Sequence, residues 1–146
     1  MVALGFSQGG WLALSSVERG PTERFSTHKF RAAIGFYPPC RLLGGNMTVP
    51  SLILVGERDD WAVANDCRKL VDGNDDLGVS RQKGQGIPIK LVVLPGAYHG
   101  FDAPNLATPT SLHGHHLEFS QSATDLSITA VREFLDATIG DKGIAT

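Results

Sequence analysis

Gly5-Phe6-Ser7-Gln8-Gly9 sets a serine between two glycines, the G-x-S-x-G spacing of a nucleophile elbow. Such an elbow lifts the serine hydroxyl above a sheet on a sharp strand-to-helix corner. Its strained backbone is expected to admit only small residues two positions either side. The flanks predict that context: residues 1–6 are short and apolar, and residues 8–18 carry Trp11, Leu14 and Val17 at helical spacing. A free hydroxyl is a poor nucleophile near neutral pH, so Ser7 needs a base, and the base needs an orienting acid. Two later segments offer them. Val55-Gly56-Glu57-Arg58-Asp59-Asp60-Trp61 puts carboxylates just past one apolar run, and Tyr98-His99-Gly100-Phe101-Asp102 puts an imidazole just past the next. Serine, then acid, then histidine is the order in which strand-end loops deliver such a triad to an elbow of this kind. The backbone N–H of Gln8, at the start of the helix, is expected to face an oxyanion. A lone turn aspartate or histidine is commonplace; the joint occurrence at successive strand ends carries the reading.

Positioning these groups falls to alternating strands and helices. Residues 31–37 read as a second strand stopped by Pro38-Pro39, and residues 51–55 as a third, apolar throughout. Residues 62–71 are predicted to form a helix ending near Gly73, and 74–86 a polar, glycine-bearing loop. Residues 87–94 form the fourth strand, with Pro88 at its start, where the missing N–H does least harm. Residues 101–120 show no clear period and read as loop. Residues 125–138 read as an amphipathic helix with Ile128, Val131 and Leu135 on one face and Gly140 at its end. Strands apolar on both faces and separated by helices predict an α/β class, with about four parallel strands and helices on both faces. Right-handed crossovers then place the strands side by side in sequence order.

Composition narrows the partners. The chain has 146 residues, 42% hydrophobic and 19% charged, with a formal net charge of −2, so it is one domain or part of one. That balance gives no reason to expect nucleic acid or an anionic membrane as partner. No apolar run approaches the roughly 18–20 residues needed to span a bilayer. No basic segment precedes the elbow, so no secretory signal is expected and the cytoplasm is the expected setting. Cys40 and Cys67 show neither CxxC nor zinc spacing; a disulfide between them is one reading, and two buried or half-buried thiols are the expected one.

The segments GFSQGGW, AAIGFYPPC, LILVGERDDWAVANDCRKL and LPGAYHGFD resemble the successive signatures of the dienelactone-hydrolase family within the α/β-hydrolases, over residues 2–102. The resemblance implies a serine hydrolase acting on carboxylic esters or lactones through an acyl-enzyme, with Ser7 as nucleophile and His99 as base. In that family the acid lies three residues after the strand-ending glycine, which points to Asp59, with Asp60 as its competitor. The best-known members carry cysteine at the elbow; Ser7 resembles the serine-bearing branch, so a general ester hydrolase is expected over a ring-opening lactonase. Tyr37, Trp61, Tyr98 and Phe101 lie near the three loops and are candidates to line a pocket or to pack at strand ends. No metal or organic cofactor is called for, and a small-molecule ester is the expected partner. A complete α/β-hydrolase has its elbow after the fifth of eight strands. The chain is therefore expected to be a C-terminal half, without the earlier strands and without the loop that supplies a second oxyanion amide. Losing one such donor typically lowers turnover by about 10²–10³. The alternative is a half without activity alone, an association module whose open strand edge pairs with itself or with the missing half.

Other features have plainer readings. His113, His115 and His116 read as a solvated loop rather than a metal site, because few carboxylates or thiols lie at ligand spacing. Asn46-Met47-Thr48 fits a glycosylation sequon with no signal peptide to support it. Lys83-Gly84-Gln85-Gly86 reads as a turn, and Asp72-Gly73-Asn74-Asp75-Asp76 as a helix exit rather than a calcium loop.

Overall fold

A computed structural model describes residues 1–73 and 85–140. Its centre is a four-stranded sheet in the order β1 (Val2–Phe6), β2 (Ala32–Phe36), β3 (Ser51–Gly56) and β4 (Ile89–Leu94). All three pairings are parallel, so the sheet runs in sequence order as expected. Every residue of β2 and β3 is buried. Successive strand residues point to opposite faces, so both faces of these two strands are covered. The edge strand β1 differs: Leu4 and Phe6, which share one face, are 48% and 45% exposed.

Glycines let the first helix, α1 (Gln8–Ser15), approach the sheet. A Cβ on Gly10 would lie 3.0 Å from Phe36 O, and one on Gly35 would lie 2.6 Å from a methyl of Leu14. α1 therefore packs directly on β1 and β2. It ends earlier than residue 18 because the hydroxyls of Ser15 and Ser16 bond back to the carbonyls of Leu12 and Ala13, loosening the last turn. Gly20 and Pro21 then start a short α2 (Pro21–Phe25) that the hydrophobic pattern did not signal.

α3 (Ala64–Asp72) closes on Gly73, which adopts the left-handed conformation of a helix cap. The loop expected at 74–86 lies mostly outside the described residues, as do most of the calcium-like stretch and half of the Lys83–Gly86 turn, whose Gly86 has the positive φ of a turn glycine. α4 (Gln121–Ile139) starts four residues before the expected point, where the Ser120 hydroxyl accepts the N–H of Ala123. Its fully buried residues are Ala123, Ser127, Ala130 and Phe134; of the expected face, Val131 and Leu135 pack partly buried against the core and Ile128 is exposed. Small residues let this helix lie close to the sheet, whereas hydrophobicity alone favours the larger side chains. Both helices pack on β3 and β4.

Two further departures alter the site. Residues 101–120 are not irregular throughout, because β5 (Thr110–Leu112) and β6 (His115–Leu117) form an antiparallel hairpin. Cys40 and Cys67 are not free thiols but a disulfide, with Cα atoms 5.1 Å apart. Cys40 ends the buried turn after β2, and Cys67 lies on the buried face of α3. The parallel pairing of β2 with β3 brings those two elements together, which no spacing in the sequence could announce.

Candidate active site

The turn after β1 holds Ser7 at φ 52°, ψ −118°, a conformation that costs a non-glycine residue about 1–3 kcal/mol. Two backbone bonds hold it there: Ser7 N–H donates to Phe36 O at 2.9 Å, and Trp11 N–H donates to Ser7 O at 3.1 Å. The two motif glycines are not equivalent. A Cβ on Gly5 would sit 2.0 Å from Gly9 O, so the elbow admits nothing larger there. A Cβ on Gly9 would meet no atom within 4 Å, which corrects the expectation that both flanking positions must be small. Gln8 is the first residue of α1, so its N–H has no intrahelical carbonyl to bond.

β3 and β4 carry the other two groups past the same edge of the sheet. Their loops are tied together by Glu57 N–H to Leu94 O and Arg58 N–H to Ala97 O, each 2.9 Å. Gly56 permits the approach, since a Cβ there would meet Ala97 O at 2.3 Å. Asp59 is buried and fully engaged. Its Oδ1 accepts the N–H groups of Trp61 at 2.9 Å and Ala62 at 2.7 Å, and its Oδ2 lies 2.8 Å from His99 Nδ1. An ionised carboxylate only accepts, so Nδ1 carries the hydrogen of that bond. His99 Nε2 is then the accepting nitrogen, 3.1 Å from Ser7 Oγ. The structure thus brings Ser7, His99 and Asp59 into one hydrogen-bonded series from segments far apart in the chain.

Asp60 is elsewhere. Its carboxylate accepts the N–H of His116 at 3.2 Å and lies 3.5 Å from His115 Nδ1. The histidine stretch is therefore not a solvated loop; it is the docked hairpin, and its carboxylate partner comes from 56 residues away.

The four aromatic candidates separate. Tyr37, buried at φ 37°, packs its ring 4.5 Å from the His99 ring and donates its hydroxyl to Asp102 at 2.7 Å. Burial first, and then the Asp102 bond, push its phenol well above the usual tyrosine range. Trp61 is exposed, with its ring 5.1 Å from that of His99. Tyr98 packs its ring against that of His116 rather than that of His99, with centroids 4.0 Å apart and planes tilted by 42°. Phe101 has no exposed surface and supports Phe36 and Tyr37 from within the core, so it lines no cavity. Asp102 escaped the sequence reading; its only signal is its place in the His99 loop.

A parallel sheet with flanking helices and an elbow at the end of an edge strand is a partial α/β-hydrolase fold. Solved structures of that kind match most of the chain. A dienelactone-hydrolase-like promiscuous phosphotriesterase from metagenomic libraries is 20% identical, with a TM-score of 0.64 over 94% of this chain and 52% of its own. Thermogutta terrifontis esterase 2, phosphoramylated by tabun, is 19% identical, with a TM-score of 0.63 over 97% and 56%. An alpha-beta serine hydrolase homologue from Coxiella burnetii is 20% identical, with a TM-score of 0.55 over 90% and 48%. The chain spans about half the length of these structures. No protein-family model matches it, and no curated protein matches it. Among the described residues, no helix is long and apolar enough to cross a membrane.

Proposed function

We propose that the chain is the nucleophile-bearing, C-terminal half of a serine hydrolase of dienelactone-hydrolase type that cleaves carboxylic esters. One observation carries the reading: His99 bridges Ser7 Oγ and Asp59 Oδ2 through its two ring nitrogens, at 3.1 and 2.8 Å. Ser7 Oγ attacks the ester carbonyl while His99 Nε2 takes the hydroxyl proton. The tetrahedral oxyanion is met by the Gln8 N–H. Collapse breaks the bond to the alcohol oxygen, which leaves with the proton from His99 and gives an acyl-Ser7. Water, deprotonated by His99, attacks that acyl group, and collapse returns the proton to Ser7 Oγ and frees the acid. Asp59 keeps the proton on Nδ1 and stabilises the imidazolium. No step needs a metal or an organic cofactor. The esterases among the structural relatives favour this chemistry, and a lactone is a cyclic case of the same substrate.

The Cys40–Cys67 bond favours an oxidising compartment over the expected cytoplasm. The exposed Leu4 and Phe6 on the open strand β1 favour a covering α/β segment, the missing N-terminal half, over an isolated domain. An association module without activity of its own is the second reading, and it rests on that same face.

Labelling with a fluorophosphonate and turnover of p-nitrophenyl acetate test the function, with and without added N-terminal half. Labelling that Ser7→Ala abolishes, together with a drop in turnover of about 10³-fold or more, is expected. Folded protein in which parent and Ser7→Ala turn over equally in both settings removes Ser7 as nucleophile and leaves the association module.

A further inference from the structure

Two neighbouring residues at the end of β2 each hold a different member of the Ser7–His99–Asp59 series. Phe36 O accepts the N–H of Ser7 at 2.9 Å and so helps to fix the elbow. Tyr37, the next residue, sets its ring 4.5 Å from that of His99. Of the Tyr37 and Trp61 rings that meet the imidazole, Trp61 is 39% exposed and Tyr37 only 6%, so Tyr37 is the wall that cannot swing into solvent. A buried phenol without a partner is costly, and this one is satisfied from the His99 loop itself. Its hydroxyl donates to Asp102 Oδ1 at 2.7 Å, and only Gly100 and Phe101 separate Asp102 from His99. The corner that carries the phenol is stiff. Tyr37 sits at φ 37° with its N–H bonded to Leu54 O at 2.6 Å, and Pro38-Pro39 follow it.

We propose that Tyr37 and Asp102 are positioning residues for the base His99, acting through their mutual hydrogen bond; this rests on the serine-hydrolase reading above. The bond ties the His99 loop to the same β2 corner that holds Ser7. The 3.1 Å separation of His99 Nε2 and Ser7 Oγ is thereby set across one peptide unit, Phe36 to Tyr37, rather than across the width of the sheet. The link on the hairpin side of the loop, Glu118 N–H to His99 O, is longer at 3.3 Å. Displacing a reacting group by an ångström can lower a rate by about 10²-fold, so a brace on this distance bears on turnover without touching the ester. The role is one of geometry rather than charge, because the carboxylate bonded to the imidazole is that of Asp59, at Nδ1.

Two conservative variants separate geometry from charge. Tyr37→Phe keeps the ring and loses the bond, whereas Asp102→Asn loses the charge and keeps an oxygen to accept from the phenol. Both are measured in protein whose circular dichroism matches the parent, with and without added N-terminal half. Tyr37→Phe is expected to lower kcat for p-nitrophenyl acetate and the rate of fluorophosphonate labelling together, by about five- to fiftyfold, with KM within about twofold. Asp102→Asn is expected to stay within about threefold of the parent in all three. Long-range nitrogen-15 spectra of the histidine rings compare the same proteins without substrate. The His99 ring signals are expected to move in Tyr37→Phe and to hold in Asp102→Asn. Parent rates and parent His99 signals in Tyr37→Phe, or equal losses in the two variants, overturn the positioning role. His99 signals that move only in Tyr37→Phe, in a protein whose parent fluorophosphonate never labels, keep that role and sink the hydrolase reading alone.

Discussion

The Tyr37 hydroxyl donates a 2.7 Å hydrogen bond to Asp102 Oδ1, joining the end of β2 to the loop that carries His99. The tyrosine is held at φ 37° by its own N–H to Leu54 O, so a strained residue buttresses the face of the imidazole. Burial and the Asp102 bond raise the phenol pKa in the folded state. The unfolded chain then loses this proton first as pH climbs past the ordinary value of about 10. Stability from this group is whole below that pH and is lost above it, by up to about 1.4 kcal/mol per pH unit. Urea midpoints of the parent from pH 9 to 11 are expected to fall more steeply than those of Tyr37→Phe. Parallel slopes refute the assignment.

Adjacent aspartates should respond in opposite ways. Asp59→Asn keeps an acceptor for Trp61 and Ala62 but loses the charge facing His99 Nδ1, and kcat is expected to drop by about 10⁴-fold. Asp60→Ala frees the hairpin without touching the Ser7–His99–Asp59 series, and a loss within about tenfold is expected. A larger loss at Asp60 than at Asp59 reverses the roles given to them.

The elbow glycines allow a stability comparison that needs no substrate. Gly5→Ala forces a methyl onto the Gly9 carbonyl and is expected to cost about 3 kcal/mol or more, because the obstacle is backbone. Gly9→Ala meets open space in a helix and is expected to be neutral or stabilising by up to about 1 kcal/mol. Chemical denaturation of both variants settles it, and equal losses contradict the geometry.

Replacing both cysteines by alanine opens a loop spanning 27 residues, for which chain entropy gives a loss of about 3.5 kcal/mol. Thiol titration of the unfolded parent under non-reducing conditions should find no free sulfhydryl on Cys40 or Cys67. A full thiol count, with equal stability of parent and double variant, removes the cross-link.

Much of this molecule is written locally. Continuous apolar runs, proline stops and helix-period stretches placed β1 to β4 in their order, because those signals act between near neighbours in the chain. The elbow at Ser7 was legible for the same reason: glycine at position 5 answers a clash within five residues. Segment order brought His99 and the Asp59-Asp60 pair forward, the family resemblance pointed to Asp59, and in the structure Asp59 Oδ2 is the carboxylate oxygen beside His99 Nδ1. Proximity between distant segments decided the rest. The Cys40–Cys67 bond, the Asp60 grip on the hairpin, the stacking of His115 on Trp61 and the inward face of α4 all depend on how far one element lies from another. That separation is set by packing the whole core at once, and no run of adjacent residues encodes it.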